Sequence, residues 1–397
     1  NTSNLYPFYE ILPVKSNSGN WLVNGGKTNT ADIPSLVSTL LTWERVRSFN
    51  VGFDFGAFSN RLTGSFDYFV RKTVDMVGPA PQLPLVLGIA PAIVNNADMK
   101  SYGFEIELSW RDRIGEVDYG VKFNLADAQQ KVVKYPNTTN AFSDWYAGKM
   151  SGEIWGYTSL GIAKTDEEMK EHLASLPNGG QNQLGNKWGA GDIMYADING
   201  DGKVDGGKGT LADPGDQRII GNSTPRYNFG LVLDASYKGF DVSIFFQGVG
   251  KRDYAPIVGT NGAVFWGAVN NIWQSMAMEE HFDYFRPEGH PMGANLNGYY
   301  PRPDFTSNKN HQVQTRYLQD ASYIRLKNLQ IGYTLPKQWI NKLHINRCRV
   351  YVSGDNLWTG TSLASMFDPE TLAAGDWGSG KTYPLSKVIS FGLNVNF

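Results

Sequence analysis

Asp197-Ile198-Asn199-Gly200-Asp201-Gly202-Lys203-Val204-Asp205 sets side-chain oxygens at the first, third, fifth and ninth positions of a loop, with the Lys203 carbonyl at the seventh and Gly202 at the sixth. Oxygens at alternate positions of a tight turn converge on one hard cation, as in a twelve-residue calcium loop. The twelfth position departs from that pattern: Lys208 stands where a bidentate Glu belongs, so a further ligand has to come from Asp192, Asp213 or Asp216. The same residues also suit an Asx-rich turn without metal. The expectation is a structural Ca²⁺ on Asp197, Asn199, Asp201, Lys203 and Asp205, and no catalytic cofactor.

Gly375-Asp376-Trp377-Gly378-Ser379-Gly380-Lys381-Thr382 matches a Walker A phosphate loop letter for letter. Such a loop works only between a strand and a helix, whose N-terminus meets the phosphate. Tyr383-Pro384 and an alternating stretch follow instead, so the match is read as accidental. There is no G-x-S-x-G elbow and no H-E-x-x-H pair, and the single Cys348 lies inside an alternating stretch. Gly248-Val249-Gly250 lacks the third glycine of a dinucleotide fingerprint. Nothing here predicts an enzyme.

Aromatic residues offer a different chemistry. Trp145, Tyr146, Trp155, Trp188, Trp266, Trp273, Tyr299, Tyr300 and Trp377 fall between the alternating stretches. Flat rings stack on sugars or apolar peptide side chains, which makes these the candidate substrate-binding residues. The competing reading is that about half of them pack the loops together, since large aromatics bury well wherever they sit.

The elements that carry these loops show period-two alternation, which places every second side chain on one face of a strand. Tyr102, Phe104, Ile106, Leu108 and Trp110 alternate with Glu105, Glu107 and other polar residues. Val117 to Leu125, Tyr227 to Tyr237, Phe240 to Phe246 and Ile389 to Phe397 repeat the pattern, and Phe49 to Phe55, Leu62 to Val70, Tyr323 to Tyr333 and Cys348 to Val352 do so more weakly. That predicts about nine strands. Short links after Phe55, Trp110, Tyr237 and Leu335 alternate with long ones over 75–100, 132–225, 251–322 and 357–386. Turns at one end and long loops at the other describe an up-and-down barrel. Ten residues at roughly 3.3 Å each, tilted by about 40°, rise on the order of 25 Å, the height of a lipid-facing band, and Tyr102, Trp110, Tyr227 and Tyr237 bracket that band with amphipathic rings.

Composition agrees. In 397 residues, 19% are charged and 13% aromatic, with 44 glycines, a balance that favours β-structure rich in turns. A formal charge of −2 provides no field for nucleic acid. One cysteine allows no intrachain disulfide and leaves no Cys/His set for zinc. Asn1-Thr2-Ser3-Asn4 shows neither initiator Met nor signal peptide, which suggests a piece of a longer protein.

The chain resembles the C-terminal part of the SusC/RagA family of TonB-dependent outer-membrane transporters, over essentially its whole length. The resemblance rests on Leu41-Thr42-Trp43-Glu44, Asn60-Arg61-Leu62-Thr63-Gly64-Ser65-Phe66-Asp67-Tyr68 and Ala97-Asp98-Met99-Lys100-Ser101-Tyr102-Gly103-Phe104-Glu105. It continues with Gly191-Asp192, Ile220-Gly221-Asn222-Ser223-Thr224-Pro225-Arg226-Tyr227, Tyr323-Ile324-Arg325-Leu326-Lys327-Asn328-Leu329 and the terminal Phe397. It implies an all-β fold, a transmembrane antiparallel β-barrel of about 22 strands around an N-terminal plug, of which residues 1–397 supply the last nine or so strands with long extracellular loops. It further implies a Gram-negative outer-membrane location, a SusD-like surface lipoprotein at the mouth, energy from TonB-ExbB-ExbD through the N-terminal part, and uptake of glycans or peptides. Asn1 would then fall in an outward loop, and Glu105, Glu107, Lys122, Asn228 and Asp234 would face the lumen or plug. The alternative is a soluble β-rich carbohydrate-binding or hydrolytic protein with a calcium-stabilised loop.

Overall fold

The computed structural model describes residues 9–34, 36–80, 84, 86, 88–89, 91–256, 263–267, 277–305, 307–340, 345–372 and 382–397. Each alternating stretch becomes a long strand: β1 (Arg45–Ala57), β2 (Leu62–Gly78), β3 (Val94–Ile114), β4 (Val117–Lys134), β5 (Arg226–Tyr237), β6 (Phe240–Lys251), β7 (Tyr323–Thr334), β8 (Arg347–Thr361) and β9 (Val388–Asn396). They form one nine-stranded sheet in sequence order, without a crossover. Short antiparallel links produce that order directly. Two links are only two residues long; the one between β5 and β6 consists of Lys238 (φ 45°) and Gly239 (φ 90°), the positive pair of a type I′ hairpin. Strands β1 and β9 are open edges, so the described residues do not close a barrel.

Register keeps the apolar rows together. Leu231 opposes Phe246 and Leu233 opposes Ile244 across β5 and β6, while Val352 opposes both Ile331 of β7 and Phe391 of β9. This face lies open: Phe53, Ile331, Val350, Val352, Ile389 and Leu393 are exposed, and Phe391 is 82% accessible. A soluble sheet would cover so long an apolar row with a second layer. At the short-turn end the row finishes in rings, with Phe240 and Tyr333 at 4.4 Å and Trp110 Nε1 donating to the Tyr119 hydroxyl at 3.2 Å. Along the opposite face Arg349 donates to Asp241 and to Gln330, whereas Arg61, its guanidinium 5.9 Å from the Trp110 ring centroid, donates to Asp112 at 3.0 Å on the ring-bearing face.

Strands β2, β3 and β4 run to 17, 21 and 18 residues, well past the ten expected. Much of 75–100, read from the sequence as a loop, is therefore strand. Alternation signals a strand only while one face is apolar; here polar groups complete the ladder, with Asp75 N donating to Asp98 Oδ1 at 2.9 Å and Asn95 Nδ2 to the Thr42 carbonyl at 2.9 Å.

The chain divides into two compact units. One comprises Asn1–Phe49, Phe69–Tyr102 and Gln130–Met150; the other comprises Asn50–Tyr68, Gly103–Gln129 and Ser151–Phe397. The first contains two small ribbons, Val14–Lys15 with Thr30–Ala31 and Leu22–Val23 with Gly26–Lys27. The second has its core in the loops: Tyr157, Ile193, Tyr195, Phe265, Trp266, Tyr300, Tyr317, Phe367 and neighbours form one buried cluster. It also holds a helix that alternation could not reveal, α1 (Asp166–Ala174). Thr165 accepts from Glu168 N at 3.1 Å and Glu168 reaches back to Lys164 N at 2.6 Å, with acids in the first turn facing the helix dipole.

Candidate functional site

The loop core is built around a buried carboxylate. Asp192 immediately precedes the short strand Ile193–Tyr195, which pairs with Ser159–Ile162. Its Oδ1 accepts from Arg302 Nε at 2.8 Å and Asn310 Nδ2 at 2.9 Å; its Oδ2 accepts from Arg302 Nη2 at 2.6 Å, Gly189 N at 2.9 Å and Lys309 Nζ at 3.0 Å. Lys309 is 1% exposed, and its ammonium also donates to the carbonyls of Asn186 and Lys187, with Asp304 at 3.7 Å. Two cations thus face two anions and every ammonium proton has a partner, the condition under which buried charge is tolerated. Tyr195 extends the network: its hydroxyl donates to the Lys309 carbonyl at 2.7 Å and accepts from Gln314 Nε2 at 3.1 Å. Burial drives that hydroxyl's pKa far up, fixing it as a donor. Its charges and hydroxyl are spent on one another and on loop carbonyls, so the network positions the loops.

The Asp-rich loop is nearby in sequence but is organised differently. Asp197 Oδ1 accepts from Gly200 N at 2.7 Å and Oδ2 from Gly202 N at 2.8 Å, where φ values of 76° and 80° require glycine. Asp216, fully buried, accepts from the amides of Ile198 at 2.7 Å and Asp205 at 2.8 Å, so it is the additional acid that joins the loop. Burial raises its pKa. Lys203 Nζ stands 2.5 Å from Asp205, holding that carboxyl below its ordinary range. Asp192 is engaged elsewhere, and Asp213 closes a turn with Thr210. Among the described residues no three His, Cys, Asp or Glu side chains converge as metal ligands.

The candidate aromatics separate by burial. Trp266 (0% exposed) and Tyr300 (2%) belong to the core, with Tyr299 and Trp188 packed against it. Trp266 and Tyr300 have no face free for a ligand. Trp145 is exposed, its ring 5.8 Å from Tyr135, and Tyr146 is half-buried with Lys149 Nζ over its ring. Trp155 is half-buried in the strand Glu153–Gly156. Trp273, Trp377 and the Walker-like stretch through Lys381 lie outside the described residues. Of the Asp192 partners, Arg302, Lys309 and Asn310 carried no sequence signal, since nothing local distinguishes them.

His311 is fully buried with its ring centroid 4.5 Å from that of Trp266, and burial pushes its pKa down to about 4. The charged group facing it is Asp304, itself 3.7 Å from Lys309, which stands two residues before His311. Between the free value near 6.5 and about 4, opened loops bind more protons than packed ones, so packing stability falls as pH drops through that window. Acid titration of the full-length protein with a protease probe should show 277–322 becoming cleavable there, and the window should vanish in His311→Gln.

The TonB dependent receptor-like, beta-barrel family matches residues 1–357. The chain belongs to that family. A curated relative, TonB-dependent receptor P3 of Formosa agariphila, is 28% identical over 419 aligned positions, covering 98% of this chain and 38% of the relative. TonB-dependent receptor SusC of Bacteroides thetaiotaomicron is 21% identical, over 92% of this chain and 33% of SusC. Among solved structures, the RagAB peptide transporter superposes with a TM-score of 0.68 at 22% identity, covering 99% of this chain and 39% of that one. The chain therefore spans under two fifths of the length of these relatives. They are receptors, not enzymes, and membership removes the soluble alternative.

The polar face of the sheet carries concavities. Glu107, Lys122 and Asn124 line a concavity of about 840 Å³ with Asp54 and Thr63. Glu105 and Asn228 line a neighbouring one of about 470 Å³ with Gln247 and Tyr323. Near the loop end of this receptor wall, Arg325 donates to Thr359, Glu370 and Asp368, each at 2.8 Å, and Lys327 Nζ to Glu370 at 2.9 Å. Arg252 Nη1 donates to the Pro369 carbonyl at 3.2 Å. The segment Asp368-Pro369-Glu370 is thereby hooked onto β7.

Proposed function

We propose that the chain is the C-terminal wall of an active importer of the SusC/RagA type in the outer membrane of a Gram-negative bacterium. The observation that carries this reading is the sheet itself: nine up-and-down strands with an exposed apolar row on one face and a charged, hydrogen-bonded row on the other. Such a wall separates lipid from a polar passage. The proposed cargo is an oligomeric nutrient, glycan or peptide, captured with a SusD-like lipoprotein and drawn past an N-terminal plug by TonB-ExbB-ExbD. Trp145, the candidate aromatic with an exposed ring, is the proposed substrate contact among the described residues. In cells lacking the full-length gene, uptake of labelled oligosaccharide or oligopeptide pools will fall, and complementation will restore one pool only while TonB is intact. Uptake of both pools unaffected by either deletion ends this reading.

Calcium at Asp197, Asn199, Asp201, Lys203 and Asp205 belongs to the same proposal. The donor spacing favours it, and binding requires Lys203 to leave Asp205. Millimolar Ca²⁺ should then raise the melting temperature of the chelator-treated full-length receptor, with Asp197→Asn losing the response. An unchanged melt removes the metal.

A further inference from the structure

Trp266, His311 and Gln314 are all at most 2% exposed, yet Trp266 Nε1, both ring nitrogens of His311 and Gln314 Oε1 have no hydrogen-bond partner among the described residues. An unpaired buried polar atom costs about 1–3 kcal/mol, so four together call for partners that the described protein groups do not supply. Reversing the Gln314 amide does not help. Its Nε2 faces the carbonyls of Asn310 at 2.9 Å and Gln312 at 3.2 Å and the Tyr195 hydroxyl at 3.1 Å, all serving as acceptors, because Tyr195 spends its own proton on Lys309. The amide oxygen therefore stays on the unpaired side.

The unmet groups balance chemically. A neutral histidine presents one N–H and one lone pair; the indole adds a donor and the amide oxygen an acceptor. Two donors and two acceptors match small neutral molecules that both give and take hydrogen bonds, whereas a cation would leave the donors unmet and an anion the acceptors. The two imidazole nitrogens point in directions too divergent for one molecule to serve both. We propose that an ordered pair of water molecules, one on each ring nitrogen of His311, is sealed into the loop core and bridges to Trp266 and Gln314.

The pair explains why an imidazole is compatible with a site between Trp266 and the Asn310–Gln314 turn, where an apolar ring would otherwise be better. That yields opposite signs for one substitution. In the full-length receptor, His311→Phe keeps a ring of similar size but removes both water partners. With the pair present, it leaves the indole and the amide oxygen without bridges, and hydrogen exchange of amides 308–317 should speed up about five- to tenfold. In a dry site the same change removes two orphan nitrogens, and exchange slows or stays the same, which overturns the proposal. The unsubstituted receptor gives an independent reading. An experimental map fine enough to place waters must show ordered density within hydrogen-bond reach of each His311 nitrogen; a site without it also overturns the proposal.

Discussion

Asp192→Ala in the full-length receptor is expected to destabilise the packed loops by about 3–5 kcal/mol, the cost of leaving a buried charge without its counter-charge. Both Lys309, 1% exposed, and Arg302 lose their carboxylate, and Asn310 and the Gly189 amide lose an acceptor. Asp304, 3.7 Å from Lys309, remains as a second anion but reaches neither Arg302 nor Asn310 and makes no hydrogen bond to the ammonium in place of Asp192. The measurement is protease sensitivity of 151–225 and 277–322, which should rise sharply while the β-sheet signal of the wall persists. Lys309→Met made in the Asp192→Ala background should recover part of the loss, because the pair is costly chiefly when one partner remains alone. Additive losses would show that the two side chains do not act as a pair.

Arg325→Met should release the Asp368-Pro369-Glu370 hook at a similar cost, about 3–5 kcal/mol. The Arg325 and Asp368 side chains are 4% and 6% exposed, so this pair is shielded from solvent screening. Glu370, at 25%, keeps Lys327 as a second partner and should matter less. Hydrogen exchange across 362–372 should therefore accelerate strongly in Arg325→Met and only weakly in Glu370→Gln. Equal responses would contradict the assignment of Arg325 as the central residue. Barrel assembly should be unaffected, since the β7–β8 backbone pairing does not depend on this side chain.

The contrast between wall and loops explains what could be read in advance. Each wall strand announces itself, because a face set against lipid must be apolar at every second position, whichever strand lies beside it. Where β2, β3 and β4 pass beyond that band the rule lapses, and 75–100 looked like a loop although its ends extend β2 and β3. The helix α1 was legible in principle from Thr165 followed three residues later by Glu168, the spacing of a capping box, although Glu168 reaches the Lys164 amide one residue before the cap. The loop aromatics were legible as a set but not in their roles: Trp266 and Trp145 have the same side chain, and only packing makes one a core residue and the other exposed.

By itself, then, the sequence determined the nine-strand count and which residues of each strand share a face, since these follow from periodicities confined to a strand and its link, while the family was legible in short residue motifs. Tertiary structure decided the rest. Asp192 was readable only as a loop acid, one of several that could have served a metal. Its partners Arg302, Lys309 and Asn310 lie 110 to 118 residues away, and no local pattern ties residues so far apart. Burial turns such a charge from a solvated surface group into a structural requirement, and burial is a property of the assembled loops, not of any one of them.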